Sequence, residues 1–358
     1  MLRKIEQLNP EHHVQLAYME CLTSCILTYL KSTGREYDKL LLDYWNIGYE
    51  HRTLLSSKSA EHLLLQYLYG IHLRHEQGSE EGLQAAVQAG RSAVCLCMAS
   101  KLPYFPRDYL NMESSGFWHA ILVQGWDADK GVYLVADPVV RKVAELRPQE
   151  IAYACALRTD RAEMQFFDIF EPELPHAEPG LGDVLLHCAT RNAAAYRSPG
   201  ERLVQQSGEA TGRNKREAVR LWFLMRNSGV KAWERFESDV NESLAWTAVM
   251  RARWIKQNTV TVFSIKQLRY RIWALYQELA AMDEPLAGRG QTLFDQVSAA
   301  WNAFNMALVR YGNTRDQAAG MVASVVRQAG VVRDAEVRFL SWLHTAVTAG
   351  GRDAESIV

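Results

Sequence analysis

The residues best suited to chemistry in this chain are a cysteine near the amino terminus and, much later, a histidine followed by an aspartate. These are Cys21, His119 and Asp137. A thiolate is a strong nucleophile, an imidazole moves protons near neutral pH, and a carboxylate fixes the tautomer of the imidazole and stabilises its charged form. The three residue types are those of a Cys-His-Asp triad, which predicts covalent chemistry at Cys21.

Two apolar runs around a short polar loop must position the histidine and the aspartate. Residues 117–126 and 132–136 flank the segment 127–131, which contains glycine, and this arrangement is typical of a β-hairpin. A turn centred near residues 128 and 129 pairs His119 directly with Asp137. We therefore predict that the imidazole and the carboxylate are in contact. The structural alternatives are an ordinary core histidine and an Asp-Pro pair that ends a strand.

The segment that follows Cys21 has the apolar periodicity of an amphipathic helix, with Gly34 as its stop. Cys21 falls in the first turn, where the positive end of the helix dipole favours a thiolate. Gln15 precedes the cysteine by six residues, so its side-chain amide and the Cys21 backbone N–H are predicted to form an oxyanion hole. Cys25 lies one turn along on the apolar face; we predict that it belongs to the core, and it is the alternative nucleophile.

The chain is predicted to be an α+β protein with two domains. Alternating helix and strand patterns continue to residue 172, and residues 173–182 form a linker rich in proline and glycine. Residues 183–358 have helical periodicity, except for residues 197–214, which lack it and are predicted to form a flexible loop. The carboxyl-terminal domain is therefore predicted to be a helical bundle. Its predicted helices include Trp233–Arg253, Thr314–Gln328 and Val332–Val347.

Composition argues against several classes of partner. The formal net charge is -1, so nucleic acid and membrane surfaces are not expected partners. No apolar run approaches the ~20 residues that span a bilayer, and we predict a cytoplasmic location. The six cysteines have the spacing of neither a zinc site nor a disulfide framework, and we predict neither a metal nor a cofactor.

The order of the candidate residues also supports a family resemblance. Gln15, Cys21, His119 and the pair Asp137-Pro138 resemble the papain-like leader-peptidase domains of bacteriocin exporters. The tripeptide Leu102-Pro103-Tyr104, ahead of the histidine strand, makes the chain more similar to the butirosin biosynthesis protein H family. This resemblance implies a papain-like amino-terminal domain joined to a helical domain, and transfer of an aminoacyl group from a carrier-protein thioester to an amine.

The function expected from the resemblance is a cysteine-dependent acyltransferase of natural-product biosynthesis. Its donor would be an acyl carrier protein or coenzyme A thioester, its acceptor a small-molecule amine, and a second copy of the chain is a candidate partner. Tyr104 and Trp118 are expected to bind substrate. One departure is Leu22, since leader peptidases usually carry glycine after the nucleophile.

Two alternative functions remain open from the sequence. A papain-like cysteine hydrolase, either a peptidase or a thioesterase, would use the same four residues with water as the acceptor. A non-catalytic module would bind an acyl or peptide ligand and mediate assembly.

Overall fold

The computed structural model describes residues 9–16, 20–56, 59–107, 118–156, 164–171, 176–197, 228–280, 282–314 and 318–348. Contacts divide the chain into two compact units. The first unit comprises Met1–Leu40 and His62–Glu178, and the second comprises Leu41–Glu61 and Pro179–Val358. The protein is a mixed α+β protein, with an antiparallel six-stranded sheet and helices in the amino-terminal region and an all-helical region after it.

The first unit is built on the six-stranded sheet. Its strand order is β3-β8-β4-β5-β6-β7, and every pairing is antiparallel. The strands of the unit are β3 (His72–Gly78), β4 (Ala93–Met98), β5 (Trp118–Asp127), β6 (Val132–Asp137), β7 (Lys142–Leu146) and β8 (Met164–Phe170). Its helices are α1 (Cys21–Ser32), α2 (Ser59–Tyr69, at whose start the division between the units falls), α3 (Glu80–Gln88) and α4 (Pro148–Cys155).

The central strands β4 and β5 carry the core of this unit. Small and branched side chains with no measurable exposure alternate along them, among them Cys95, Cys97, Ile121 and Val123. Helix α1 packs against β5, where the Cys25 thiol donates to the carbonyl of Ala120 over 3.4 Å. The predicted helix at Cys21 is thereby confirmed, and Gly34 follows it with a φ of 71°.

The second unit combines a small hairpin with long helices. The hairpin strands are β1 (Ile47–Glu50) and β2 (Thr53–Ser56), and the helices are α5 (Leu181–Arg197), α6 (Val230–Glu242), α7 (Ala248–Leu279), α8 (Glu284–Asn313) and α9 (Ala318–Thr348). Side chains of the helices bind the hairpin backbone: Asn258 accepts from the Leu54 N–H at 2.9 Å and donates to the Arg52 carbonyl at 3.0 Å.

Two predicted helix boundaries in this unit are wrong. The predicted helix Trp233–Arg253 is two helices, because Thr247 caps the second one by accepting from the Met250 N–H at 3.3 Å. The predicted break near Gly330 is absent, and α9 runs through it. A glycine inside a helix costs only about 1 kcal/mol, which packing along a helix of 31 residues outweighs.

Within the parts of the chain that the structure describes, no helix is both long enough and apolar enough to cross a membrane.

Two glycines of α8 provide a matched test of the bundle packing. A Cβ on Gly290 would overlap the indole rings of Trp342 and Trp273, whereas a Cβ on Gly288 would meet nothing. We expect Gly290→Ala to lower the free energy of unfolding by about 1–3 kcal/mol through overpacking. We expect Gly288→Ala to raise it by about 0.5–1 kcal/mol, because alanine favours the helix. Urea unfolding of both variants checks this, and equal effects would contradict the packing.

Candidate active site

The predicted contact between the histidine and the aspartate is confirmed. His119 Nε2 lies 2.8 Å from Asp137 Oδ2, and both side chains are fully buried. Their strands are neighbours in the sheet, and the bond links the first residues of β5 to the last residue of β6.

The predicted register of the hairpin is wrong by two residues. Leu122 pairs with Ala136, which places Ile121, rather than His119, opposite Asp137. The turn is centred later along the chain than predicted, because Asp127 pairs with Val132. The extra residue at the Gln124 bulge then reduces this shift in register by one residue. Because side chains alternate between the two faces of a sheet, a register shift of two residues keeps His119 on the same face as Asp137. The imidazole therefore reaches the carboxylate diagonally across the two strands.

Asp137 is held by further donors. Its Oδ1 accepts from the backbone N–H of Val139 at 3.2 Å, and its Oδ2 also accepts from the Tyr104 hydroxyl at 3.3 Å. The ring of Phe105 packs edge-on against His119, with 5.0 Å between ring centroids. Contacts on both groups fix the orientation of the imidazole, which a catalytic pair requires.

Cys21 completes the set. It is the first residue of α1, is half-buried, and lies close enough to His119 to raise the pKa of the imidazole. Because Nε2 of the imidazole is engaged with Asp137, Nδ1 is the ring nitrogen that can serve the thiol. The structure thus brings together all three residues of the predicted triad.

The pKa of His119 is set by opposing effects. Burial lowers it, but hydrogen bonds to Asp137 and Cys21, together with the negative charges of both groups, raise it to about 9. His119 is therefore an imidazolium at neutral pH. A positive imidazolium between a carboxylate and a thiolate is the resting state expected of an activated cysteine.

Gln15 lies on a segment that runs along α1. The Val14 N–H donates to Thr28 Oγ1 at 3.0 Å and the Leu16 N–H donates to Ser24 Oγ at 3.3 Å. The Gln15 side-chain amide donates to the Val139 carbonyl at 2.7 Å, next to the turn that follows Asp137. An amide NH₂ has two donors, so this bond leaves capacity for one further acceptor.

The remaining predicted residues have distinct environments. Cys25 is fully buried and bound to the Ala120 carbonyl, so its prediction as a core residue is confirmed. Tyr104 is directed at Asp137, as above, and its hydroxyl has a pKa raised by burial and by that carboxylate. Trp118 begins β5, and its side chain lies outside the described residues.

Sequence reasoning missed several residues that support the site. Ser24 and Thr28 hold the Gln15 segment, and their spacing of one helical turn was the available signal. The role of Val139 had no such signal, since it acts through backbone groups alone.

No protein-family model matches this chain, and no curated protein matches its sequence.

Replacing Asp137 with asparagine tests the origin of the raised pKa of His119. Asparagine keeps an oxygen acceptor and removes the negative charge, so we expect the pKa of His119 to fall, which histidine NMR titration measures. The pKa of His119 is about 9 in the folded protein and ~6.5 in the unfolded chain, so protonation of this residue stabilises the fold. The stabilisation is complete below pH ~6.5 and is lost as the pH rises through about 9. Asp137→Asn should therefore lower the free energy of unfolding more near neutral pH than above pH ~10. A loss that does not vary with pH would contradict this origin.

Proposed function

We propose that this protein is a papain-like cysteine acyltransferase that moves an acyl or aminoacyl group from a thioester, through Cys21, to an amine. The observation that carries the proposal is the set of Cys21, His119 and Asp137, in which the imidazole is bonded to Asp137 and its pKa is raised by both partners. Both His119 and Asp137 are fully buried, so their interaction is protected from solvent screening.

The layout of the elements supports the papain-like part of the proposal. The nucleophile is the first residue of a helix that packs on the sheet, and the histidine and the aspartate lie on adjacent antiparallel strands. Gln15 is tied to the turn after the aspartate. These are the positions that the resemblance to leader-peptidase domains and to the butirosin biosynthesis protein H family implies.

In the first half-reaction the Cys21 thiolate attacks the thioester carbonyl carbon. The carbonyl oxygen becomes an oxyanion, for which the backbone N–H of Cys21 and the amide of Gln15 are the proposed donors. The bond to the donor sulfur then breaks, and the imidazolium of His119 gives its proton to the leaving thiolate. The products are an acyl-Cys21 thioester, neutral His119 and a free thiol.

In the second half-reaction the acceptor amine attacks the acyl-Cys21 carbonyl carbon. His119, now neutral, takes a proton from the attacking nitrogen, and the bond from carbon to the Cys21 sulfur breaks. The amide leaves, and the imidazolium and thiolate pair is restored. Asp137 stabilises the positive charge of His119 whenever the imidazole is protonated.

The proposed partners follow from this chemistry. The donor is an acyl carrier protein or coenzyme A thioester, because a thiolate displaces another thiolate without a strong leaving-group acid. The acceptor is a small-molecule amine, and natural-product biosynthesis is the proposed setting. We place the reaction in the cytoplasm, where thiols stay reduced; within the described ranges the six cysteines form no disulfide.

Two cysteines of α1 give a matched pair of variants. An acetyl N-acetylcysteamine thioester should acylate the wild-type protein once, which intact mass spectrometry detects. Cys21→Ala should abolish the adduct because the nucleophile is gone. Cys25→Ala should retain it, because that thiol is buried against the Ala120 carbonyl. An adduct that survives in Cys21→Ala would refute the assignment.

Adding an amine to the acylated protein separates transfer from hydrolysis. We expect amide product to form faster than free acid. Release of acid alone, at the same rate with and without the amine, would identify a hydrolase instead.

A further inference from the structure

A tyrosine lies against the carboxylate of the candidate active site. The Tyr104 hydroxyl donates to Asp137 Oδ2 at 3.3 Å, and His119 Nε2 lies 2.8 Å from the same oxygen. The other carboxylate oxygen, Oδ1, accepts from the Val139 N–H at 3.2 Å. The Asp137 side chain is fully buried, so donors of the protein, rather than bulk water, stabilise its negative charge.

The segment that carries Tyr104 is fixed by contacts on both sides of it in the sequence. Three residues earlier, Lys101 Nζ donates to the Ala156 carbonyl at 2.7 Å, at the end of α4. The Phe105 N–H donates to the Leu102 carbonyl at 3.3 Å, and the side chains of both residues are buried in the core of the unit. The phenol ring is packed against the same core. The hydroxyl is therefore held at the carboxylate by the fold itself.

The Tyr104 hydroxyl is a neutral donor in a site that holds charged groups. Burial and the nearby Asp137 carboxylate raise its pKa well above the usual 10, so it keeps its proton. Cys97 on β4 and His13 in the amino-terminal segment also lie within electrostatic reach of Asp137. Burial raises the pKa of Cys97 and lowers that of His13, so both are neutral near pH 7.

A second donor on Oδ2 changes how strongly the carboxylate holds the proton of His119. A hydrogen bond to a carboxylate stabilises its charge, which makes the oxygen a weaker acceptor for its other partner. In the first half-reaction of the proposed acyl transfer, the imidazolium gives its proton to the leaving thiolate. A proton that the imidazole holds more tightly is given up more slowly.

We propose that Tyr104 is a positioning residue, which acts through Asp137 to keep the His119 imidazolium acidic enough to protonate the leaving thiol. Its O–H fixes the position of Oδ2 and weakens the hold of that oxygen on the imidazole proton. No bond to Tyr104 forms or breaks during the reaction. The effect on His119 belongs to the free protein, whereas its consequence for acylation rests on the proposed function.

The first test measures His119 in the full-length free protein. Tyr104→Phe keeps the ring and removes the hydroxyl, and we expect the pKa of His119 to rise by roughly 0.5–1 pH unit. Histidine NMR titration measures it, with the His119 signal assigned by its loss in His119→Gln. Tyr133→Phe is the matched control, because it removes another phenol of the same sheet, one whose hydroxyl donates to Glu80. It should leave the pKa of His119 unchanged.

The second test measures acylation by an acetyl N-acetylcysteamine thioester at neutral pH. In Tyr104→Phe we expect the release of free thiol to slow by roughly 2–3-fold, because the less acidic imidazolium protonates the leaving thiolate more slowly. Tyr133→Phe should release thiol at the wild-type rate.

The outcomes separate the two proposals. An unchanged or lowered pKa of His119 in Tyr104→Phe would overturn the role of Tyr104. An equal rise in Tyr133→Phe would also overturn it, because that pattern reports packing alone, and so would a raised pKa with an unchanged rate of thiol release. Failure of the wild-type protein to release thiol would overturn the proposed function, while the titration would still decide whether Tyr104 acts on His119.

Discussion

The structure of the candidate site depends on the register of one β-hairpin, because the register decides on which face of the sheet each side chain lies. The closing pair, Asp127 with Val132, would by itself place His119 and Asp137 on opposite faces of the sheet. The bulge at Gln124 changes the register by one residue and returns both side chains to one face. Gln124 is itself held, since its amide donates to Ser32 Oγ on α1 at 2.9 Å. One extra residue in a strand thus determines whether the imidazole meets the carboxylate.

Once that contact forms, the other site residues are positioned from α1. The helix presents Cys21 at its first residue and buries Cys25 against β5. Two hydroxyls on the same helix, those of Ser24 and Thr28, bind the segment that carries Gln15. The side chain of Gln15 then reaches back to the turn after Asp137. Helix, hairpin and amino-terminal segment are therefore tied together by polar contacts, with the imidazole between the nucleophile and the acid.

The helical unit depends on a different kind of buried contact. Glu336 and Arg269 are both fully buried and lie 2.8 Å apart, and Glu336 also accepts from the Trp301 indole at 2.8 Å and from the Tyr196 hydroxyl. A buried charge is costly without such partners. The four helices that carry these residues must therefore be placed so that their side chains meet at one carboxylate. The aromatic side chains of the unit, including Trp273 and Trp301, are buried in its core, as their helical spacing indicates.

The sequence by itself determined the residue types of the site, the helix at Cys21, the hairpin and the α+β class, because these depend on local periodicity and turn composition. It could not determine the register: Gly125 inside the strand is a local bulge signal, but whether a bulge forms at Gln124 depends on what that side chain binds across the fold. The bonds of Gln15 and Tyr104 join residues distant in the chain. Only the tertiary structure decided them, since burial and long-range hydrogen bonds exist only when the elements are packed together.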